Sequence, residues 1–198
     1  MPLSKIEANS LDIGQVGGRR NLVINGAMQV SQRGTTTSIG TDSGGYGVDR
    51  FRLGTAATTA ADIKHSTTVP SGEGFSNSLH IDVTTADSTL AAGDALLLSH
   101  RFEGQNLQHL KKGSSGAKSL TLSFWVRSPK TGTHIAELYD SDNARHLSKS
   151  YTISTADTWE HKTITYAGDT SGSFNNDNNL SLLINFWLGA GTTYSSGT

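Results

Sequence analysis

The feature that most constrains this chain is its rhythm. From Asn21 onward, apolar and polar residues alternate in short runs, and each run stops at a cluster of Gly, Ser, Thr, Asn or Asp. Alternation with a period of two puts apolar side chains on one face of a strand, and such clusters are turn formers. No stretch after residue 21 sustains helical periodicity, although 104–112 (GQNLQHLKK) has room for one turn. Candidate strands are 22–33, 47–54, 61–69, 78–85, 95–104, 120–128, 134–140, 148–154, 160–167 and 180–188. The gaps read as turns: DSGG at 42–45, SGEG at 71–74, GSSG at 113–116 and GDTSG at 168–172. No repeat of 20–50 residues is visible, which disfavours propellers and solenoids. The expected fold is all-β, a jelly-roll β-sandwich over 21–198 with an immunoglobulin-like sandwich second.

Composition narrows the function classes without selecting one. Lys and Arg number 16 against 17 Asp and Glu, so no basic field draws in nucleic acid or an anionic membrane. The absence of Cys removes disulfides, thiolate nucleophiles and Cys-based zinc sites. No apolar run is long enough to span a bilayer, and the N-terminus lacks a signal-peptide core. Ser and Thr form roughly a quarter of the chain, giving a surface of hydroxyls rather than ions.

Strand alternation assigns faces. In 120–127, Leu120, Leu122, Phe124 and Val126 point to the core, opposite Thr121, Ser123, Trp125 and Arg127. In 180–188, Leu180, Leu182, Ile184, Phe186 and Leu188 oppose Ser181, Leu183, Asn185 and Trp187. Trp125, Arg127, Asn185 and Trp187 thus compose a candidate polar-aromatic face. An indole packs against the C–H face of a pyranose while amides and guanidinium groups bind its hydroxyls. The same residue types are enriched in subunit interfaces, so glycan site and interface both stay open. Trp159 reads as a structural plug at a strand mouth.

No catalytic motif is present, and the chain is expected not to be an enzyme and to need no cofactor. The seven histidines show no metal-ligand spacing, and no metal site is assigned. Asp140-Ser-Asp142-Asn143 and the 175–179 run NNDNN offer oxygen ligands suited to Ca²⁺, but Asn and Asp are also the standard turn formers. A paired-carboxylate glycosidase would draw on Glu103, Glu137, Glu160, Asp49 and Asp82, with no spacing to fix two of them together.

Residues 1–20 stand apart. Leu3, Ile6, Leu11, Ile13 and Val16 are too scattered for a lone helix and fit either a frayed terminus or a docking arm that orders on a partner. At the other end, a strongly apolar strand is followed only by loop-like GAGTTYSSGT. Either an earlier strand pairs with that strand's second edge, or the chain is a fragment; the fragment is the expectation.

The string NLVINGAMQVSQRG at 21–34, followed by YGVDRFR at 46–52, resembles the start of tail-fibre-like and virion structural proteins of marine bacteriophages. SHRFEGQN at 99–106, LTLSFWVR at 120–127, YTISTADTW at 151–159, FNND at 174–177 and FWL at 186–188 are similar to the same family. The likeness to jelly-roll carbohydrate-binding modules is looser. The resemblance implies a virion-attached jelly roll, a tail fibre or appendage component made in the bacterial cytoplasm, with residues 1–20 docking it on the particle. Implied partners are other virion proteins, further copies in a symmetric oligomer such as a trimer, and a host surface glycan; nucleic acid and membrane insertion are not implied. A stand-alone glycan-binding module using Trp125, Arg127, Asn185 and Trp187 is the alternative.

Overall fold

The computed structural model describes residues 21–56 and 59–195. It is all-β, a sandwich of antiparallel sheets with no closed barrel. The strands are β1 (Thr36–Ile39), β2 (Gly44–Tyr46), β3 (Phe51–Ala56), β4 (Ala60–Ser66), β5 (Ser78–Thr85) and β6 (Ala95–Glu103), then β7 (Leu120–Val126), β8 (Gly132–Asp140), β9 (Arg145–Ile153), β10 (Glu160–Tyr166) and β11 (Leu180–Ala190). One layer is a six-stranded sheet in the order β2-β3-β6-β11-β8-β9. The opposing layer is split into a β1-β4-β5 sheet and a β7-β10 pair.

The split divides the core. Phe51 and Leu53 of β3 and Leu96 of β6 meet Ile39, Ala61 and Ile63 beneath the three-stranded sheet. Ala136, Leu138, Tyr151, Leu182 and Ile184 meet Ile164 and Tyr166 of β10, with Leu120, Leu122, Phe124 and Val126 of β7 against them. Side chains such as Leu53, Ile63 and Leu107 are fully buried, worth about 1.5–3 kcal/mol apiece. Tyr166 is buried with its hydroxyl donating to the Ala136 carbonyl at 3.0 Å, so its ring adds apolar burial without an unpaired oxygen. The helical turn expected within 104–112 is two successive 3-10 turns, Gly104–Asn106 and Gln108–Leu110, which place Leu107 and Leu110 in the second core.

Several expectations need correction. Segment 22–33 is not a strand but a pinned loop, with Asn25 and Met28 at positive φ (60° and 55°). The Asn25 side chain holds it, donating to the carbonyls of Val30 and Asp49 and accepting from the Val30 amide. The loop is also tied to β6, because the Ile24 amide donates to Nε2 of His100 at 3.0 Å. Its apolar residues Leu22, Val23 and Met28 pack on the two cores, which explains the strand-like pattern without a strand. β1 and β2 were not anticipated, being short edge strands rich in Thr and Gly. The open edge expected for the final strand does not occur, since β11 lies inside the sheet with β6 and β8 on either side. The proposed docking arm (Leu3, Ile6, Leu11, Ile13, Val16) lies outside the described residues.

Candidate functional site

Glu137 organises the outer face of the six-stranded sheet. β8 turns Ala136 and Leu138 into the core, so Glu137 projects to the other side, where it is 5% exposed. Its carboxylate accepts hydrogen bonds from three side chains: Nδ2 of Asn185 at 2.8 Å, Nε1 of Trp187 at 3.1 Å and Nδ1 of His146 at 2.7 Å. Those donors reach it because β11 and β9 flank β8, with Asn185 directly opposite Glu137 and Tyr139 opposite His146. Tyr139 and His146 stack at 4.4 Å, and Trp187 lies 5.3 Å from the Tyr194 ring. The carboxylate therefore fixes an amide, an indole and an imidazole in one orientation. Asn185 is 5% exposed, yet its Oδ1 has no hydrogen-bond partner among the described residues.

The face continues across the whole sheet. Successive cross-strand neighbours run Ser148, Glu137, Asn185, Ser99, Arg52 and Tyr46, one from each strand in turn. Directly paired residues share a face, and five interstrand gaps span about 24 Å. Arg52 turns out of this row along the strands: a Cβ on Gly44 would collide with its guanidinium, and glycine at that position leaves room for it. Beside Arg52 and Tyr46 opens a cavity of about 620 Å³ whose lining includes Arg33, Arg50 and Arg101.

The four residues grouped from sequence do not share this face. Asn185 and Trp187 belong to it, but Trp125 and Arg127 lie on or just after β7, in the other layer. The neighbours Phe124 and Phe186 pack into the same core from opposite sides, so the two Trp pairs look outward on opposite surfaces of the sandwich. Trp125 lies 5.2 Å from the His161 ring in a tilted contact, and Arg127 donates to the Asp157 carbonyl. Alternation gave the polarity of β7 and of β11 from Leu182 to Phe186. Leu188, expected in the core, is 41% exposed because the register shifts between Trp187 and Gly189, and alternation does not give the sheet to which a strand belongs. Sequence reasoning missed Tyr139, His146 and Tyr46, for which only cross-strand register supplies a signal.

The candidate Ca²⁺ loops meet around an internal cation instead. Nζ of Lys112 contacts Asp140 at 2.6 Å and Asp169 at 3.2 Å and donates to the carbonyls of Ser171 and Gly172. Asp140 also accepts the amides of Asp142 and Asn143, while Asp142 accepts the amide and side chain of Asn175. Burial pushes the Asp169 carboxyl up, but donors from Arg145, Ser171 and Lys112 outweigh this and hold it at about 2. Among the described residues no group of three or more His, Asp or Glu is placed to hold a metal. Beside Glu137, the other four carboxylates weighed for glycosidase chemistry each have a local partner: Asp49 takes the Gln32 backbone amide, Asp82 takes Lys64, Glu103 takes Gln105 and Asn106, and Glu160 takes Lys162.

No family model matches the chain, and no curated protein matches it. Among solved structures it is similar to the enzymatically active domain of bacteriophage CBA120 tailspike protein 4, at 15% identity and TM-score 0.46, covering 85% of this chain and 19% of that one. It is also similar to the C-terminal family 22 carbohydrate-binding module of Clostridium thermocellum Xyn10B, at 12% identity and TM-score 0.39, covering 81% and 87%. A chain holding the N-terminal such module and a GH10 xylanase module of Xyn10B matches at 13% identity and TM-score 0.32, covering 63% and 23%. The chain thus spans about a fifth of the tailspike chain it matches. Among the described residues no helix is long and apolar enough to cross a membrane.

Proposed function

We propose that this chain is a non-catalytic glycan-binding β-sandwich carried on a bacteriophage particle, where it contributes to attachment to the host surface. One observation carries the binding part of this reading: the buried row centred on Glu137 and Asn185, flanked by the Trp187 indole. A carboxylate that clamps an amide and an indole presents a preorganised edge, and preorganised groups lose little entropy when a saccharide chain settles on them. The Asn185 Oδ1 atom offers a hydroxyl a buried acceptor with no competing donor among the described residues. The particle setting rests on the resemblance of the 21–34 string, as do the proposed partners: other virion proteins and further copies in a symmetric oligomer such as a trimer.

The test is retention of the chain on immobilised host surface polysaccharide, compared for wild type, Asn185→Ala and Trp187→Ala, each checked for folding by circular dichroism. Loss of retention in both folded variants is expected. Unchanged retention in both would remove this face from the reading. Antibody labelling of intact particles tests the setting, which falls if the particle surface stays unlabelled.

A further inference from the structure

The end of the row formed by β2, β3 and β6 differs from the rest in charge. Arg33, Arg50 and Arg101 line the cavity, while the Arg52 guanidinium is turned along the strands toward Gly44 and Gly54. Two carboxylates, Asp49 and Glu103, line the same cavity, yet among the described residues neither pairs with an arginine. Asp49 accepts the Gln32 amide, and Glu103 accepts the side-chain amides of Gln105 and Asn106. Among the described residues none of these three arginines forms an ion pair, whereas Arg127 and Arg145 elsewhere on the sandwich both have one. Nε of Arg101 is buried without an acceptor. Arg33 lies 6.0 Å from the Tyr46 ring centroid, a contact that orients its guanidinium without using its N–H donors.

An arginine cluster that leaves nearby carboxylates to amides keeps its donors for something else. A guanidinium is a planar fork that matches two oxygens of one acid group, and Arg101 is partly withdrawn from water, where such contacts strengthen. We infer that this cavity is an acid-group subsite, so that the glycan crossing the sheet is a polysaccharide bearing carboxylates, a hexuronate polymer, with an acidic sugar held by Arg33, Arg50 and Arg101. The inference rests on the glycan reading of the Glu137 row and adds the chemical class of the ligand. Continuity supports it: Arg101 on β6 lies two residues beyond Ser99, which is itself in the row, so both project from the same face. The sheet then combines two chemistries. Neutral hydroxyls face Asn185 and Trp187, and an acidic group faces the arginines.

The experiment compares retention of the full chain on immobilised polygalacturonate, on its methyl ester and on dextran sulfate, at physiological ionic strength. Retention on polygalacturonate is expected, with much weaker retention on the ester, which has the same backbone without the charge. Arg101→Gln and the exposed Arg33→Ala should each weaken retention on polygalacturonate by roughly ten- to a hundredfold. Equal retention on polygalacturonate and its ester overturns the acid-group subsite while leaving the glycan reading intact. Stronger retention on dextran sulfate overturns the carboxylate assignment in favour of sulfate esters. Wild-type retention by both folded variants overturns the placement of the site. Failure to retain any polymer overturns the subsite, and loss of the glycan reading as well is then read from the host-polysaccharide column.

Discussion

β8 feeds two buried polar clusters, from residues three apart and therefore on opposite faces: Glu137 looks outward, and Asp140 looks toward the core and the loops beyond it. The Asp140 cluster is closed. The Lys112 ammonium meets two carboxylates and two carbonyls, and Asp169 is further engaged by a two-point contact from Arg145. The Glu137 cluster is open. Its carboxylate is saturated by three donors, but Oδ1 of Asn185 and Nε of Arg101 on the same face carry no partner among the described residues. Both clusters centre on a β8 carboxylate at similar burial, 5% exposed for Glu137 and 4% for Asp140, so a buried acid alone does not separate scaffold from site. The completeness of the hydrogen bonding does: a closed network holds loops in place, and an open one has bonds left for a ligand to complete.

The largest test of this contrast is Lys112→Met, which strands Asp140 and Asp169 without their cation. Breaking a buried pair from one side costs about 3–5 kcal/mol, read as a lower midpoint in urea unfolding. Below that midpoint, polysaccharide retention should match wild type. A comparable loss of retention in the folded variant would show that the two clusters are coupled.

Acid should take the two sides apart in sequence. His100 is 1% exposed between Phe51 and Phe102, and burial, reinforced by the Arg50 charge, lowers its pKa to about 4. Between the unfolded value near 6.5 and about 4 the unfolded chain binds the extra proton, so stability falls as pH drops through that window. Protonated His100 cannot accept the Ile24 amide, which ties the loop carrying Arg33. Asp169, held at about 2, keeps its contribution until pH falls from about 4 toward 2. Amide exchange should therefore accelerate at Ile24 well before Ser171, whose amide donates to Asp169. Simultaneous release would refute the separation.

Asn185→Ala comes next in size. Removing one donor to Glu137 costs about 1–3 kcal/mol, while retention on polysaccharide is lost. The smallest effect is expected on the far surface. Trp125→Ala forfeits the His161 contact, roughly 1 kcal/mol, and leaves retention unchanged; a loss equal to that of Trp187→Ala would move the site to the β7-β10 layer.

Much of this architecture is legible along the chain. The inward sets Leu120, Leu122, Phe124, Val126 and Leu182, Ile184, Phe186 follow from alternation alone, because a strand has only two sides. The pairing of Trp125 with Trp187 failed for a nonlocal reason: which sheet a strand joins depends on partners far away in sequence. The 22–33 misreading was local, since a left-handed backbone at Asn25 and Met28 interrupts a pattern that hydropathy cannot distinguish from a strand. The Glu137 row was invisible because its six members come from six segments, and only register aligns them.

The interior position of β11 also sets the order in which the molecule can be made. The six-stranded sheet has one half in β2, β3 and β6 and the other in β8 and β9, and β11 joins them although it follows all five in sequence. Until those residues leave the ribosome, β6 and β8 each present an unpaired edge, and the halves have no shared strand. The binding row is cut at the same seam, because Asn185 sits between Glu137 and Ser99. Folding and the assembly of the recognition surface thus finish in one late, long-range event. A chain stalled before that strand would carry both ends of the site and no site.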